Sequence, residues 1–593
     1  MSEETKIKKG IYNWTFLVIV GASLIFLNII SSFLYKRWDM TEDQRYSLSQ
    51  GTISFLKDKS TFENRLTIRV YLNGKLPSEI KLFRDAIEDK LKEFKLYAGN
   101  RIEYQFINPN IGSEGEQREL HENLYAKGKG ILPMDIVYMK DGGQNEILLW
   151  PGAIIDYEGS TVNTIQFLPG TPAGKPFQLS GLTDMIQNSI NNLEYMLVSS
   201  LKRAIQVKKP RIGVLQGHGE LSYENTQRMR ALISDNYAIA DVTLNDSIAA
   251  LDNFDGLIIA RPRQSLSDKD LYLIDQFVMK GGRLMCFLDA LSINEDTLNA
   301  NGQTHSVRYN TRLDKMLFDY GLKLNDNLII DAQCIPKAVP FSKRSLIPWF
   351  YDILATPSAH PIARNLEFVR LKYASEVQFV GGKKNVNSSI LTSSTNATKS
   401  GMAPMLNLAM ALNFGETPEL VPNPNDEKNK VCVAGLVEGG FESHFKNRIV
   451  DEFANNPLTN FKDRSSKEGK VLLVGNGRFI ANKADSMLSK NGKMMYRPKQ
   501  LNDLRYDQEL AQLGIPHSFG NQEFLQNLVD YMMGDNSILD IRSKQIDIHA
   551  IDNEKVKKYA MTFKLINLLT PCGIILILAI SLNYIRKRKY TKN

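Results

Sequence analysis

The stretch RIGVLQGHGE, residues 211–220, decides the fold class, because a short apolar run leads directly into a glycine turn. This pattern is typical of a buried strand that ends in a tight turn. Two similar runs follow, GLIIA at 256–260 and RLMCFLDA at 283–290. Between them, residues 267–282 (SDKDLYLIDQFVMKGG) predict a capped helix that ends at Gly281. Strands that alternate with helices in this way predict a doubly wound, parallel α/β sheet.

The glycine turn supplies the candidate site. It is expected at the carboxyl end of a parallel strand, where open α/β sheets bind ligands. GNGRF after Val474 predicts a second loop of this kind, and Asp289 follows a third strand. His218, Glu220 and Asp289 are therefore the candidate ligand-binding residues. The alternative interpretation is structural, since two glycines after a strand are more often a tight turn in which a histidine hydrogen-bonds locally.

The sequence contains no convincing catalytic nucleophile. Cys286 lies in the middle of a predicted strand, between Leu284 and Leu288, which is typical of a buried thiol without an activating base. A G-x-S-x-G elbow is also missing. We therefore predict that the chain is not an enzyme.

Two further motifs resemble known sites but lack a necessary residue. GTPAGKP, residues 170–176, is one residue short of a phosphate loop, and Pro176 replaces the Ser or Thr that would hold magnesium. HENLY, which starts at His121, has Tyr125 in place of the second zinc ligand. The seven histidines show no metal-binding spacing. We predict no cofactor and no metal.

Residues 60–181 predict a small α/β domain. Apolar residues alternate in RLTIRVYL (65–72), an amphipathic pattern covers 77–99, and alternation returns at 102–106, which together predict a parallel βαβ unit. DIVYMKDGGQNEILLW, residues 135–150, predicts a hairpin. The outline is thioredoxin-like, but it has no C-x-x-C pair and hence no redox chemistry.

Helical spacing of apolar residues continues over 182–207 and predicts a helix that connects this domain to a larger one at 208–550. Within the larger domain, 430–440 and 470–479 predict buried strands, and NQEFLQNLVDYMMG predicts an amphipathic helix. The polar, small-residue segment at 385–401 is expected to be flexible or exposed around one short strand.

Both ends of the chain carry an apolar stretch long enough to cross a membrane, at 14–35 and 565–585. The first stretch could instead be a signal peptide, but it is too long and lacks a small-x-small cleavage site, so we expect an uncleaved anchor. Segments 36–59 and 551–564 would then lie next to the membrane, and Ser49 is expected to cap a short helix in the first of them. Basic and aromatic residues suited to the membrane interface flank the spans: Lys36, Arg37, Trp38, Arg586, Lys587 and Arg588.

Two spans place both tails, 1–13 and the basic 586–593, on one side of the membrane, and the basic residues favour the cytoplasm for that side. The body would then be periplasmic and held at the inner (plasma) membrane. The net charge of +8 includes no interior Lys/Arg run, so no nucleic-acid partner is expected. Cys286, Cys334 and Cys432 are an odd number in the body and form no disulfide framework.

Several of these stretches, in this order and with both apolar ends, resemble the gliding-motility-associated GldG family: RWDMTEDQRYSLSQGT, NNLEYMLVSSLKR, IGVLQGHGEL, GGRLMCFLDAL and GNQEFLQNLVDYMMGDNSILDIRSKQI. The resemblance implies a non-enzymatic auxiliary subunit of an ABC transport system in gliding Bacteroidetes. It also implies a separate ATPase and permease as partners, and a thioredoxin-like piece followed by a glutamine-amidotransferase-like (flavodoxin-like) domain without its catalytic Cys. The alternative is a membrane-tethered periplasmic protein that binds a glycan or peptide through the strand-end loops.

Overall fold

The computed structural model describes most of the chain between residues 47 and 534, the C-terminal helix and a few residues near the N-terminus. The described residues are 19–23, 25–26, 47–59, 64–125, 130–140, 143–157, 163–168, 170, 176–179, 182–206, 208–245, 247–338, 346–364, 366–381, 385–411, 430–446, 460–488, 494–498, 519–534, 541 and 560–590. Internal contacts divide the chain into a large unit that includes residues 45–544 and a small unit that includes residues 545–593.

The helices are α1 Gln50–Lys57, α2 Ser78–Ala98, α3 Glu114–Tyr125, α4 Thr183–Ile205, α5 Tyr223–Ile233, α6 Asp268–Met279, α7 Glu295–Asn301, α8 Leu313–Asp319, α9 Asn521–Met533 and α10 Ala560–Tyr590. Short 3₁₀ turns cover Gly99–Arg101 and Leu408–Ala411.

The strands are β1 Leu66–Val70, β2 Ile102–Phe106, β3 Met134–Lys140, β4 Gly143–Leu149, β5 Gly152–Tyr157, β6 Asn163–Gln166, β7 Phe177–Gln178, β8 Arg211–Leu215, β9 Ala238–Val242, β10 Gly256–Ala260, β11 Arg283–Phe287, β12 Leu291–Ile293, β13 Gln303–Arg308, β14 Leu322–Leu324, β15 Ile329–Asp331, β16 Cys334–Ala338, β17 Leu346–Pro357, β18 Val369–Lys372, β19 Val377–Phe379, β20 Val386–Thr392, β21 Ala397–Lys399, β22 Met405–Asn407, β23 Cys432–Gly439, β24 Gly469–Val474, β25 Ala484–Leu488 and β26 Met494–Pro498.

The N-terminal part of the body confirms the predicted βαβ unit. β1 and β2 are parallel, with Leu66 opposite Ile102, and α2 connects them. β5 and β6 extend the sheet in the order β2-β1-β5-β6. One face of α2 is buried against this sheet, because its apolar residues recur every three or four positions. The predicted hairpin is confirmed as the antiparallel pair β3 and β4.

The long helix α4 packs into the same core as α2, through buried side chains that include Leu193, Leu197 and Leu201. The short helix α1 also belongs to this core through Leu56. Ser49 caps α1, since its hydroxyl oxygen accepts a hydrogen bond from the Thr52 N–H at 3.2 Å, as the sequence predicts. The specific thioredoxin-like and amidotransferase-like assignments and the domain limits stay predictions.

The large sheet is mixed, and this corrects the prediction of a doubly wound parallel sheet. Its strands follow the order β16-β17-β20-β23-β24-β11-β10-β8-β9, with β18 paired to β17. The five strands from β24 to β9 are parallel, whereas β23, β20, β17 and β16 join by antiparallel pairs. The prediction was wrong for this second half, because an apolar run indicates burial but not strand direction.

Segment 385–401 is also corrected. The short strand predicted within it is confirmed as β20, but this strand lies in the interior of the large sheet, between β17 and β23, and not in an exposed region. Ile390 and Leu391 are fully buried there. The Ser- and Asn-rich composition was misleading because only the last part of the strand faces the core, while Val386 and Asn387 at its start are exposed.

The C-terminal apolar stretch lies within α10, where the side chains of residues 575–585 form a continuous exposed run that is almost wholly apolar. In the part of the chain that the structure describes, no helix combines the length and the apolar character needed to cross a membrane. The expected transmembrane helix at 565–585 therefore receives no support from this structure, and most of the expected helix at 14–35 lies outside the described residues. Lys587 and Arg588 are exposed. Lys36, Arg37, Trp38 and the side chain of Arg586 lie outside the described residues.

Candidate functional site

The candidate site is built from the carboxyl ends of four neighbouring parallel strands. β8, β10, β11 and β24 lie side by side, so the loops after them meet at one edge of the sheet. The chain reverses its direction of winding here, because β9 lies on one side of β8 and β10 on the other. A crevice between the loops after β8 and β10 is the usual ligand position in such sheets.

His218 bridges this crevice. Its Nδ1 lies 3.2 Å from Oε1 of Glu220, and its Nε2 lies 3.2 Å from Oδ2 of Asp270. The His218 backbone N–H also donates to Oε2 of Glu220 at 2.6 Å. The Glu220 side chain is fully buried, and the His218 side chain is 12% exposed. The imidazole therefore joins the loop after β8 to the first turn of α6.

Both carboxylates act on the charge of the ring. The hydrogen bond to Asp270, followed by that to Glu220, raises the pKa of His218 from 6.5 to about 9, against the opposing effect of burial. For Asp270, burial raises the pKa, but the bonds from His218 and Ser267 prevail and lower it. His218 is thus a doubly protonated imidazolium at neutral pH, with both N–H groups already donating.

The backbone of the turn is shaped to allow this contact. Gly217 and Gly219 have φ of +120° and +74°, values that residues other than glycine rarely adopt. The His218 carbonyl oxygen accepts hydrogen bonds from the N–H groups of Arg263 at 2.9 Å and Gln264 at 2.8 Å. The two loops are therefore tied by their main chains as well as by the imidazole.

Asp289 belongs to a second cluster at the same edge. Its Oδ2 accepts a hydrogen bond from Nε of Arg261 at 2.6 Å, and its Oδ1 accepts one from the Gly477 N–H at 2.6 Å. The Asp289 side chain is 3% exposed. The carboxylate thus holds together the loops after β10, β11 and β24, and no unused oxygen points to solvent.

The loop after β24 extends this second cluster outward. Nη1 of Arg478 donates to Glu295 at 2.5 Å, and Nζ of Lys372 donates to the other oxygen of Glu295 at 2.5 Å. Burial raises the pKa of Glu295, but Lys372 and Arg478 outweigh it and lower the value. Both cations also lie over the Tyr373 ring, at 5.0 Å for Arg478 and 5.3 Å for Lys372. The strand-end loops are therefore joined by ion pairs and cation–π contacts.

The sequence correctly placed the three candidate residues at the strand ends, but the structure divides them. His218 and Glu220 share one cluster with Asp270, whereas Asp289 lies in another with Arg261. Asp270 was missed as a partner, although the capping pattern of α6 could have indicated it, since Ser267 and Asp270 form a capping box. Nothing in the sequence indicates Arg261, which adopts a positive φ of 55°.

The cysteine thiols of the body are poor nucleophiles. Cys286 is fully buried in β11, and burial raises its pKa far above the usual range. Burial also raises the pKa of Cys334 to about 12 and that of Cys432 to about 11. This confirms the interpretation of Cys286 as a buried small apolar residue.

The structure describes one of the two motifs that lack a necessary residue, the HENLY motif at His121, but only part of the other. His121 lies on α3, with its ring centroid 4.9 Å from that of Trp150 and its Nε2 3.1 Å from the Pro109 carbonyl oxygen. Most of 170–176 lies outside the described residues. Across the described ranges, no group of three or more His, Cys, Asp or Glu side chains is arranged to hold a metal ion.

Comparison with known proteins gives two family matches. A family described as a domain of unknown function matches residues 42–156. A family described as an ABC-type uncharacterized transport system, the auxiliary component, matches residues 209–528. This second match spans β8 to most of α9, and thus the whole candidate site.

Individual similarities are weaker. A protein of Borreliella burgdorferi, described as an uncharacterized protein, is 21% identical over 473 residues, which cover 77% of this chain and 80% of that protein. A solved structure described as the mmIFT52 N-terminal domain matches at 10% identity with a TM-score of 0.31, over 57% of this chain and all of the other. That structural likeness is too weak to carry an argument. Because the auxiliary-component match covers more than half of the sequence, this chain belongs to the family of ABC-type transport system auxiliary components.

Proposed function

We propose that this protein is a non-enzymatic, membrane-anchored periplasmic subunit of an ABC transport system required for gliding motility. The family membership carries the transport part of this proposal. The order of the sequence stretches that resemble GldG motivates the gliding part. An auxiliary subunit contributes binding and positioning, so its partners would be the permease and the ATPase of the same system.

The state of the strand-end edge supports a non-enzymatic role. Both ring nitrogens of His218 are engaged, and both oxygens of Asp289 accept hydrogen bonds. A general base or nucleophile needs an unengaged group within reach of substrate. In the described residues, the groups at this edge hold the loops to one another instead.

Membrane anchoring is proposed from the sequence. Residues 565–585 contain no ionisable side chain that is charged at neutral pH, and basic residues follow at 586–589. The stretch at 14–35 has the same character. Two anchors with basic tails favour a periplasmic body.

The alternative function, a tethered binder of glycan or peptide at the strand-end loops, would use His218 and Glu220. Such a ligand would have to break the bonds of a buried carboxylate and an imidazolium, which costs about 3–5 kcal/mol for a buried pair. The transport-subunit proposal has no such requirement, and we prefer it for this reason.

The deciding experiment is affinity purification of the tagged full-length chain from membranes solubilised in a mild detergent. We expect the permease and the ATPase of one ABC system in stoichiometric amounts, and loss of gliding when the gene is deleted. Recovery of neither subunit would contradict the transport role. A chain released from membranes by carbonate washing would contradict the anchoring separately. Normal gliding in the deletion strain would contradict the motility part alone.

A further inference from the structure

We propose that the end of the body that carries α1 faces the membrane, and that the permease docks there and not at the strand-end loops. The docking surface, called here the α1 face, consists of the exposed residues Gln50, Ser54 and Lys57. They recur at positions i, i+4 and i+7, on the side of the helix opposite the buried Thr52 and Leu56. This inference rests on the proposed transport role and membrane anchoring, because it names the surface through which that role would act.

Both ends of the body are packed into the core of the small sheet. At the N-terminal end, Leu48 and Leu56 are buried in this core together with side chains of α2 and α4. At the C-terminal end, α9 stops at Gly534, and Ile541 is buried in the same small-sheet core. The two stretches of chain that lead to the predicted membrane spans therefore start from one part of the body.

The connection to the membrane is short on the N-terminal side. Twelve residues, 36–47, separate Leu48 from the predicted span at 14–35. Even a fully extended chain of this length reaches at most about 45 Å. On the C-terminal side, residues 542–564 separate Ile541 from the predicted span at 565–585. With both spans inserted, the small-sheet core stays within this reach of the membrane surface.

α1 is fixed to the small-sheet core at both of its ends. At its start, the Glu194 carboxylate of α4 accepts hydrogen bonds from Ser49 and Thr52. At its other end, the guanidinium of Arg101 donates to the carbonyl oxygens of Leu56 at 2.7 Å and Asp58 at 2.9 Å. The α1 face is therefore held in place before any partner binds, which lowers the entropy cost of docking.

The large sheet is attached to the small-sheet core by the edge opposite the strand-end loops. α4 ends at Ile205 and β8 begins at Arg211, so the first connection enters at the amino end of that strand. The second connection leaves at Gly534, which borders the same small cavity as Lys202 and Arg203 in the last turn of α4. From this edge, the five residues of β8 carry the chain roughly 16 Å to the strand-end loops. Those loops therefore lie on the far edge of the large sheet from the small-sheet core.

The permease is the partner to which the inference commits. A subunit embedded in the membrane contacts only what lies near the membrane surface, and the short connection at 36–47 keeps the α1 face there. The side chains of the α1 face are polar, which suits a subunit contact that forms and dissociates, since such interfaces are no more apolar than the rest of a protein surface.

The first test places a photoreactive phenylalanine analogue at position 54 or at position 223 of the full-length chain in membranes. Ser54 lies on the α1 face, whereas Tyr223, which is 54% exposed, follows the loop after β8 and is the matched control. Because a standard interface covers only about a tenth of a protein surface, we expect at least about tenfold more permease adduct from position 54. Thermal transitions of both variants check that folding is intact.

Equal permease adducts from the two positions, or more from position 223, would overturn docking at the α1 face. The same holds if position 54 yields adducts only with lipid or with a second copy of this chain.

The second test measures the orientation without the permease. A fluorescent amino acid is placed at position 50 or at position 223 of the purified full-length chain, which is reconstituted into vesicles of phosphatidylethanolamine and phosphatidylglycerol with acceptor-labelled headgroups. We expect a higher efficiency of energy transfer from position 50. Equal or lower transfer from position 50 would overturn the orientation even where the permease and the ATPase are recovered with the chain. If wild type recovers neither subunit, the transport role and the docking fail, whereas the orientation is still decided by this measurement.

Discussion

Nε2 of His218 lies 3.2 Å from Oδ2 of Asp270, so one imidazole ties the loop after β8 to the N-terminus of α6. Because the pKa of His218 in the folded protein, about 9, exceeds its ordinary value of 6.5, the charged ring stabilises the fold fully below about pH 6.5. This stabilisation is lost as the pH rises through about 9. We expect the thermal midpoint to fall between about pH 7 and pH 10 by the equivalent of roughly 1–3 kcal/mol.

The variant His218→Gln tests this assignment, since it removes the titrating charge. We expect a lower midpoint at neutral pH and a smaller drop towards pH 10 than in wild type. His305→Gln, on the exposed face of β13, is the control and should keep the wild-type profile. Identical profiles for His218→Gln and wild type would rule out the imidazolium as the cause.

Glu194 holds the helix α1 in place. Its Oε1 accepts hydrogen bonds from the Ser49 N–H at 2.7 Å and from the Thr52 hydroxyl at 2.6 Å, and its side chain is buried. Glu194→Ala leaves both donors without this acceptor and should cost about 1–3 kcal/mol. Amide exchange of residues 49–57 should speed up accordingly.

Glu194→Gln is the matched control, because an amide oxygen can accept both bonds. It should cost less than about 1 kcal/mol. If alanine and glutamine variants exchange equally fast, the negative charge rather than the acceptor geometry holds α1.

A variant at Asp289 tests whether this carboxylate is structural or binds a ligand. Asp289→Asn keeps one acceptor oxygen and places an N–H₂ group against either Arg261 or the Gly477 N–H. We expect a loss of about 1–3 kcal/mol of stability. Asp235→Asn, on an exposed turn, should be neutral. Full stability with loss of gliding in Asp289→Asn would instead indicate a ligand-binding role.

Gly475 is placed where a side chain does not fit. A Cβ there would lie 2.2 Å from the Ser375 carbonyl oxygen, which belongs to the main chain and cannot rotate away. We expect Gly475→Ala to cost about 1–3 kcal/mol, measured by the thermal transition. Gly401→Ala meets nothing within 4 Å and should leave stability unchanged or slightly higher. Equal midpoints for the two variants would contradict this packing argument.

Buried thiols should be unreactive in the folded body. We expect Cys286 to remain unmodified by a maleimide near pH 7 and to react after unfolding, as mass spectrometry of tryptic peptides would show. Burial raises the pKa of the Cys286 thiol and also blocks access to it. Rapid native labelling of Cys286 would reopen the question of a nucleophile.

The sequence predicted the elements whose pattern is local. The βαβ unit around α2, the helix α4, the capped helix α6 and the strands β8, β10 and β11 all match their predicted segments. Each has a periodicity or a capping residue that depends only on near neighbours. Strand direction and pairing depend on distant contacts, and therefore the antiparallel half of the large sheet was not foreseen.

The candidate site shows the same difference between what local sequence predicts and what depends on distant contacts. A glycine turn after a strand placed His218 and Glu220 at the correct edge, since that inference needs only local sequence. The partners Asp270 and Arg261 are 52 and 28 residues from the groups that they bind. Their roles depend on which loops meet in space, and a single sequence does not carry that information.

Glu194 is the central residue of the 23-residue helix α4, which packs within the core of the small sheet. A force applied to the chain before Ser47 would therefore act through Glu194 on the middle of this packed helix and not on one of its ends. The force would then be transmitted to the core of the small sheet, in which α4 is packed.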